Sequence, residues 1–200
     1  MKKLLGFSIF LVFVLIASLT AEAKVTLPAI FSDNMVLQQN TQVNVWGKAA
    51  PGEKVTVKAS WLDKAVTAKA AANGKWTVKL KTPKAITNQS VTVSGENEIT
   101  INNVLIGEVW LCTGQSNMEF PVSRHPDVKW NTGMLNEAEE LKDADYPEIR
   151  LFHVKHQLAH EGELDDCEGE WLVCNPKNLY DFSAVGFVFG RKLYKELKMP

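Results

Sequence analysis

The sequence predicts an antiparallel β-sandwich of immunoglobulin-like size followed by the start of an α/β domain. Three observations carry this. Apolar and polar residues alternate in short runs between turn signals from Val25 to about Asn103. A continuous apolar run, Val104–Cys112, then leads into Gly114-Gln115-Ser116. After it the pattern reads helix, strand, strand, helix, with the periodicity of helices packed on a parallel sheet.

Residues 1–23 read as an address and not as part of the fold. Lys2-Lys3 is a basic n-region, Leu4–Leu19 is almost wholly apolar, and Ala21-Glu22-Ala23 fits the small-x-small rule of signal peptidase. The mature chain is expected to start at Lys24 and to be exported, to the periplasm or beyond. An uncleaved membrane anchor is the alternative, for which the apolar run is short. A net charge of −1 with 46% hydrophobic residues suits a soluble exported protein and gives no basic surface for nucleic acid.

From 24 to 103 the strands follow one another at short spacing. Val43 and Val45 alternate with polar residues, Pro51-Gly52 turns the chain, and Val55, Val57 and Ala59 alternate again. Val66, Ala68 and Ala70 come next. Asn73-Gly74 signals a type I′ hairpin into Trp76, Val78 and Leu80. Val91 with Val93, then Ile99 with Ile101, close the set. Trp46, Trp61 and Trp76 are either core aromatics or a sugar-stacking platform.

The second domain is expected from 104 to 200. Gly133–Ala144 reads as a polar helix with Met134, Leu135, Ala138 and Leu141 inward. Ile149–Val154 reads as a strand, Trp171–Cys174 as another. Phe182–Leu197 reads as a helix with Phe182, Val185, Phe189, Leu193 and Leu197 on its apolar face. The chain has 3 cysteines, which cannot all pair; Cys167 and Cys174 form a disulfide, or all are small buried hydrophobes.

Chemistry concentrates at Ser116. A Gly-flanked Ser at the end of an apolar β-run is how hydrolases raise a nucleophilic hydroxyl above a sheet, with nearby amides facing the developing oxyanion. A plain strand-to-loop turn uses the same residue types. His153, His156 and His160 would share a helical face as metal ligands, but a strand sends His153 and His156 to opposite sides, so no metal or other cofactor is expected.

Gly107–Glu119, including Gly114-Gln115-Ser116-Asn117-Met118, closely resembles the nucleophile block of the sialate O-acetylesterases, carbohydrate esterases of the SGNH (GDSL-like) superfamily. Leu27–Gln39, Cys167–Trp171 with Val173-Cys174, and Phe182–Gly186 with Phe189-Gly190-Arg191 are similar to the same family in the same order. The resemblance runs from about Val25 to Pro200. It implies an SGNH-type α/β domain, an O-acetylated sugar as substrate, and Ser116 as nucleophile. It also points to Gln115, Asn117, Ser183 and Gly186 as oxyanion or substrate contacts, with Ser183 also readable as a helix N-cap.

The family's base is a His followed by Pro, with an Asp three residues before it, near the end of the esterase domain. His125-Pro126 has Val122 in that place and lies close after Ser116, so the catalytic Asp and His are not matched in this chain. The expectation is therefore a truncated gene product, or one naturally this short, holding the sandwich and the first part of the hydrolase domain. A non-catalytic glycan-binding or remnant protein is the alternative to an esterase.

Overall fold

The computed structural model describes residues 24–124, 133–160 and 162–200. The expected signal segment 1–23 and His125 lie outside the described residues.

Seven strands come first: β1 Val36–Gln38, β2 Gln42–Lys48, β3 Lys54–Ala59, β4 Val66–Lys69, β5 Lys75–Lys81, β6 Ile86–Ser94 and β7 Glu98–Gly107. They form a five-stranded sheet in the order β1-β7-β6-β3-β4 and a two-stranded sheet of β2 and β5. β1 runs parallel to β7, with Val36 opposite Leu105; the other pairs are antiparallel. One core lies between the sheets. Val45, Trp76, Val78 and Leu80 enter it from the small sheet, and Val55, Val57, Val91, Val93, Ile101 and Val104 from the large one. Burying one face only is what makes alternation legible, and β5 shows it residue by residue, with Trp76, Val78 and Leu80 in and the lysines between them out.

The turn at Asn73-Gly74 differs from expectation. A type I′ turn needs positive φ at both central residues. Gly74 has φ of 76°, but Asn73 is not in the left-handed region; instead its Oδ1 accepts from the Lys75 amide at 3.0 Å. The turn carries the chain from the large sheet to the small one, because β4 pairs with β3 and β5 with β2. The tryptophans form no platform. Trp76 is buried, Trp61 donates its indole N–H to the Lys81 carbonyl at 2.9 Å, and Trp46 packs edge-on against Phe31 at 4.6 Å.

The second part holds short helices α1 Ser116–Glu119, α2 Glu137–Lys142 and α3 Pro176–Leu179, strands β8 Tyr146–Phe152 and β9 Trp171–Cys174, and the long helix α4 Ala184–Leu197. β8 and β9 are antiparallel, not parallel. A parallel return needs a crossover, usually a helix, and the described connection between them contains none. The expected helix from Gly133 is shortened to α2, and Leu135 faces solvent while Met134 and Leu141 pack inward.

Helix α4 turns a different face to the core than its pattern suggests. Ala184, Gly186 and Phe187 are buried, whereas Val185, Phe189 and Leu197 stay exposed. Two apolar stripes compete on this helix. The winning one places Phe187 and Tyr194 against Tyr146 of β8, with ring centroids 6.3 and 5.9 Å apart, and its Arg191 is not solvated but paired. Arg191 forks onto the Glu140 carboxylate of α2, and its guanidinium lies 4.8 Å from the Phe187 ring centre. Phe187 is 1% exposed and central to this second core. Phe187→Ala should cost about 3–5 kcal/mol, read as a lower urea midpoint. A loss below about 1 kcal/mol would mean that the core re-forms without it.

The Glu140–Arg191 pair also makes stability pH-dependent. Its hydrogen bond to Arg191 holds the Glu140 carboxyl below the usual carboxylate range, outweighing the opposing effect of burial. A depressed folded pKa means full stabilisation above the unfolded value, near 4.5, and loss as pH falls through the lower folded value. Glu140→Gln should therefore cost about 2 kcal/mol at neutral pH and flatten the acid limb of stability. An unchanged acid limb in urea melts would contradict this.

The two parts are tied together by polar contacts. Arg150 of β8 donates to Asn34 Oδ1 and Asn103 Oδ1 at 3.2 and 3.3 Å, both on the strand-rich part. Asp166 accepts from the Ala29 amide at 3.0 Å, and the Trp171 indole donates to the Ile30 carbonyl at 2.8 Å. Asp165 bridges Lys48 and Lys75 on the small sheet.

Candidate active site

The buried strand expected over Val104–Cys112 ends at Gly107, inside β7, so the boundary set at Asn103 falls within a strand. Beyond Gly107 the backbone leaves the sheet. The Glu108 amide donates to the Pro200 carbonyl at 2.8 Å, and the Val109 amide to Gln38 Oε1 at 2.9 Å. The Gln38 and Gln39 side-chain amides both reach the Glu108 carboxylate. Gly107 is required here, because a Cβ would lie 2.1 Å from the Pro200 carbonyl oxygen. Trp110 then stacks edge-on against Phe189 of α4, centroids 5.2 Å apart, and the chain runs exposed to Ser116.

Ser116 opens α1. The Gln115 carbonyl accepts from the amides of Met118 and Glu119, at 2.8 and 3.1 Å, closing the turn. As first-turn residues, Ser116 and Asn117 have amides without an intrahelical acceptor. No bond occupies those amides, or Ser116 Oγ, among the described residues. Gln115, Ser116 and Asn117 are all exposed. Gly114 keeps the approach tight, with a Cβ there only 3.1 Å from Met118 Cβ.

The segment after α1 is bound to the start of α4, which brings the predicted Ser116 and Ser183 regions together. The Ala184 amide donates to the Phe120 carbonyl at 2.8 Å and the Val122 amide to the Phe182 carbonyl at 3.0 Å. Ser183 Oγ lies 3.5 Å from Met118 Sδ and accepts from the Gly186 amide at 3.1 Å, so Ser183 is the N-cap of α4 and occupies the Gly186 N–H.

The described histidines do not converge on Ser116. β8 ends at Phe152, so His153, His156 and His160 all lie past the strand that was expected to orient the first two. His153 sits edge-on to Phe182, 6.4 Å between centroids. His156 Nε2 is 3.5 Å from Glu119 Oε1, one turn of helix from Ser116. The sequence placed Met118 and Glu119 inside the resembling block but gave neither a role. Among the described residues no three His, Cys, Asp or Glu side chains gather as metal ligands.

All three cysteines are free thiols, so Cys167 and Cys174 are not bonded here. Burial, with Asp145 nearby, pushes the Cys174 thiol up to about 12. Burial also raises that of Cys167. Cys112 is exposed.

A cavity of about 870 Å³ opens beside the Ser loop, between the sheets, β8 and α4. Gly114, Met118 and Glu119 line it from the loop, Trp46 and Trp110 supply aromatic walls, and Phe189 closes the α4 side.

No known family model matches the chain. It is 31% identical over 192 residues to a mouse (Mus musculus) protein named sialate O-acetylesterase, a match that covers 86% of this chain and 34% of the relative. The human (Homo sapiens) protein of the same name is 29% identical over 188 residues, covering 84% of this chain and 34% of its own length. Among solved structures, a carbohydrate acetylesterase from Xanthomonas citri, XAC1771, superposes with a TM-score of 0.77 at 31% identity, over 88% of this chain and 38% of that one. The chain thus spans about a third of the length of the curated relatives it matches.

Proposed function

We propose, on the premise that this chain is similar to the sialate O-acetylesterases and to a bacterial carbohydrate acetylesterase, that it is the nucleophile-bearing part of a serine esterase acting on acetylated sugars. The observation that carries the reading is Ser116 itself, an exposed hydroxyl opening a tight turn beside two amides that no described residue pairs with, in the block that resembles those esterases. The two sheets are read as the β-sandwich, and the part from Glu108 onward as the beginning of an SGNH-type domain.

In this mechanism Ser116 Oγ attacks the carbonyl carbon of an acetyl ester, and the Ser116 and Asn117 amides donate hydrogen bonds to the carbonyl oxygen as negative charge develops on it. The sugar hydroxyl leaves with the proton that Ser116 gives up through a general base. Water then attacks the acetyl-Ser116 ester and releases acetate, its proton passing through the same base to Ser116 Oγ, which leaves as the free hydroxyl. The base is a His oriented by an Asp, of the kind the resemblance places beyond the matched region. Gln115 and Asn117 side chains flank the nucleophile on the substrate side, whereas Ser183 serves by capping α4. O-acetylated sialic acid is the substrate of choice for a test.

The test joins this chain to the unmatched remainder of the Xanthomonas citri enzyme and measures acetate release from O-acetylated sialic acid. Acetyl-Ser116 should be trapped by mass spectrometry after acid quench. Turnover with the acetyl group found on another residue would remove Ser116 from the role.

Export is part of the same proposal. Cleavage after Ala23 should leave Lys24 as the first residue of the secreted protein, seen by intact mass. Mature, membrane-extracted protein that retains Met1 would refute it.

A further inference from the structure

The net charge of −1 is the balance of two unlike parts. Residues 24–107 hold ten lysines against five carboxylates, whereas residues 108–200 hold ten lysines and arginines against seventeen carboxylates, so the strand-rich part is the cationic one. Its strand lysines are all exposed. Twice the register sets two of them directly opposite, Lys48 against Lys75 on the small sheet and Lys54 against Lys69 on the large one. Like charges in that relation repel and cost stability. The chain relieves the first pair with its own Asp165, whose carboxylate lies 3.4 Å from Lys48 Nζ and 2.6 Å from Lys75 Nζ. No carboxylate among the described residues pairs with Lys54, Lys69 or the neighbouring Lys58. A lysine on an edge strand guards that edge, which accounts for Lys69 on β4. It does not account for Lys54 and Lys58, because β3 is paired on both sides.

Hydroxyls fill the space between these lysines. Thr56 lies opposite Thr67 on β4 and Ser94 on β6, and Lys58 lies opposite Thr92. Ammonium groups interleaved with hydroxyls complement a polymer that carries both carboxylates and sugar hydroxyls. This set of residues has no arginine for bidentate phosphate contact and no aromatic ring for base stacking. It offers a bilayer no apolar side chain to bury. We propose that the outer face of the large sheet, around Lys54, Lys58 and Lys69, binds an acidic polysaccharide. The Lys54–Lys69 pair holds a sugar carboxylate there as Lys48 and Lys75 hold Asp165. This surface is separate from Ser116 and does not depend on the esterase reading.

The experiment titrates the full chain with polygalacturonate, a linear polymer with a carboxylate on each sugar, and reads Kd by calorimetry. Binding should weaken as salt rises, and neutral dextran should give none. Lys54→Gln with Lys69→Gln should raise Kd about twenty-five-fold, about fivefold for each lysine. The melting temperature of that variant should hold or rise, since the repulsion between the two is gone. Lys79→Gln with Lys81→Gln removes the same charge from the small sheet and should leave Kd within about twofold of the original. Absence of binding at low salt overturns the proposal. Equal loss from both double variants also does so, because it would mean attraction to net charge with no preferred face. Tighter binding to duplex DNA or to phosphatidylserine vesicles than to polygalacturonate would assign the face to nucleic acid or to a membrane instead. Because binding is read without turnover, loss of the esterase reading leaves this face standing, and loss of binding leaves Ser116 in its role.

Discussion

Ser116→Ala is expected to lower kcat for p-nitrophenyl acetate by about 10⁶ when the chain is joined to the unmatched remainder of its bacterial relative. The size follows from how a nucleophile and its base act as one unit: losing either leaves only binding and oxyanion contacts. In the chain alone the same substitution should change nothing measurable. Ser116 Oγ has no hydrogen-bonded imidazole among the described residues, and the nearest described imidazole–carboxylate pair, His156 with Glu119, is exposed and not bonded to it. Robust Ser116-dependent hydrolysis by the chain alone would reverse this conclusion. One of His125, His153, His156 or His160 would then have to act as the base.

The second large effect concerns where the strand-rich part ends. A segment of residues 24–107 should fold alone, with β-type circular dichroism and a cooperative melt, whereas residues 24–103 should not. The cut at 103 removes Val104, Leu105 and Ile106, which are 0%, 1% and 0% exposed. It also strips β1 of its parallel partner, because Val36 and Leu37 pair with Leu105 and Ile106. Each lost side chain is worth about 1.5–3 kcal/mol of burial, and together they approach the whole margin of a small domain. Equal melting of the two segments would show that β1 and the end of β7 add little. Failure of both would show that the strand-rich part leans on the contacts of Arg150, Asp166 and Trp171.

The strands of this part were legible because each buries a single face, so Val55 and Val57, or Trp76 to Leu80, announce themselves by alternation. Their pairing was not. The Asn73-Gly74 turn has the composition of a hairpin, yet β4 pairs with β3 and β5 with β2, so the strands it joins belong to different sheets. Val104 to Cys112 read as one buried strand because periodicity registers hydrophobicity and not neighbours; the sheet ends at Gly107 and the rest is open. On α4 the sequence offers two apolar stripes, and Arg191 made the buried one look polar, since its ion pair with Glu140 is a long-range event. Of the candidate site, the turn at Ser116 and the cap at Ser183 were legible in the sequence. Their proximity through Met118 and the Phe120–Ala184 bond was not, because no local pattern encodes it.

The uneven state of the cysteines gives the protein a built-in reporter. Cys174 is buried with a thiol held near 12, and Cys167 is partly buried with its acidity suppressed, so neither offers much thiolate at neutral pH. Cys112 is exposed and lies in the segment that leads to Ser116. A maleimide dye or spin label should therefore attach at that one position in the unaltered sequence, a few residues from the nucleophile. Its emission or mobility would register whatever comes to lie against this stretch of chain, with no engineered cysteine and none removed.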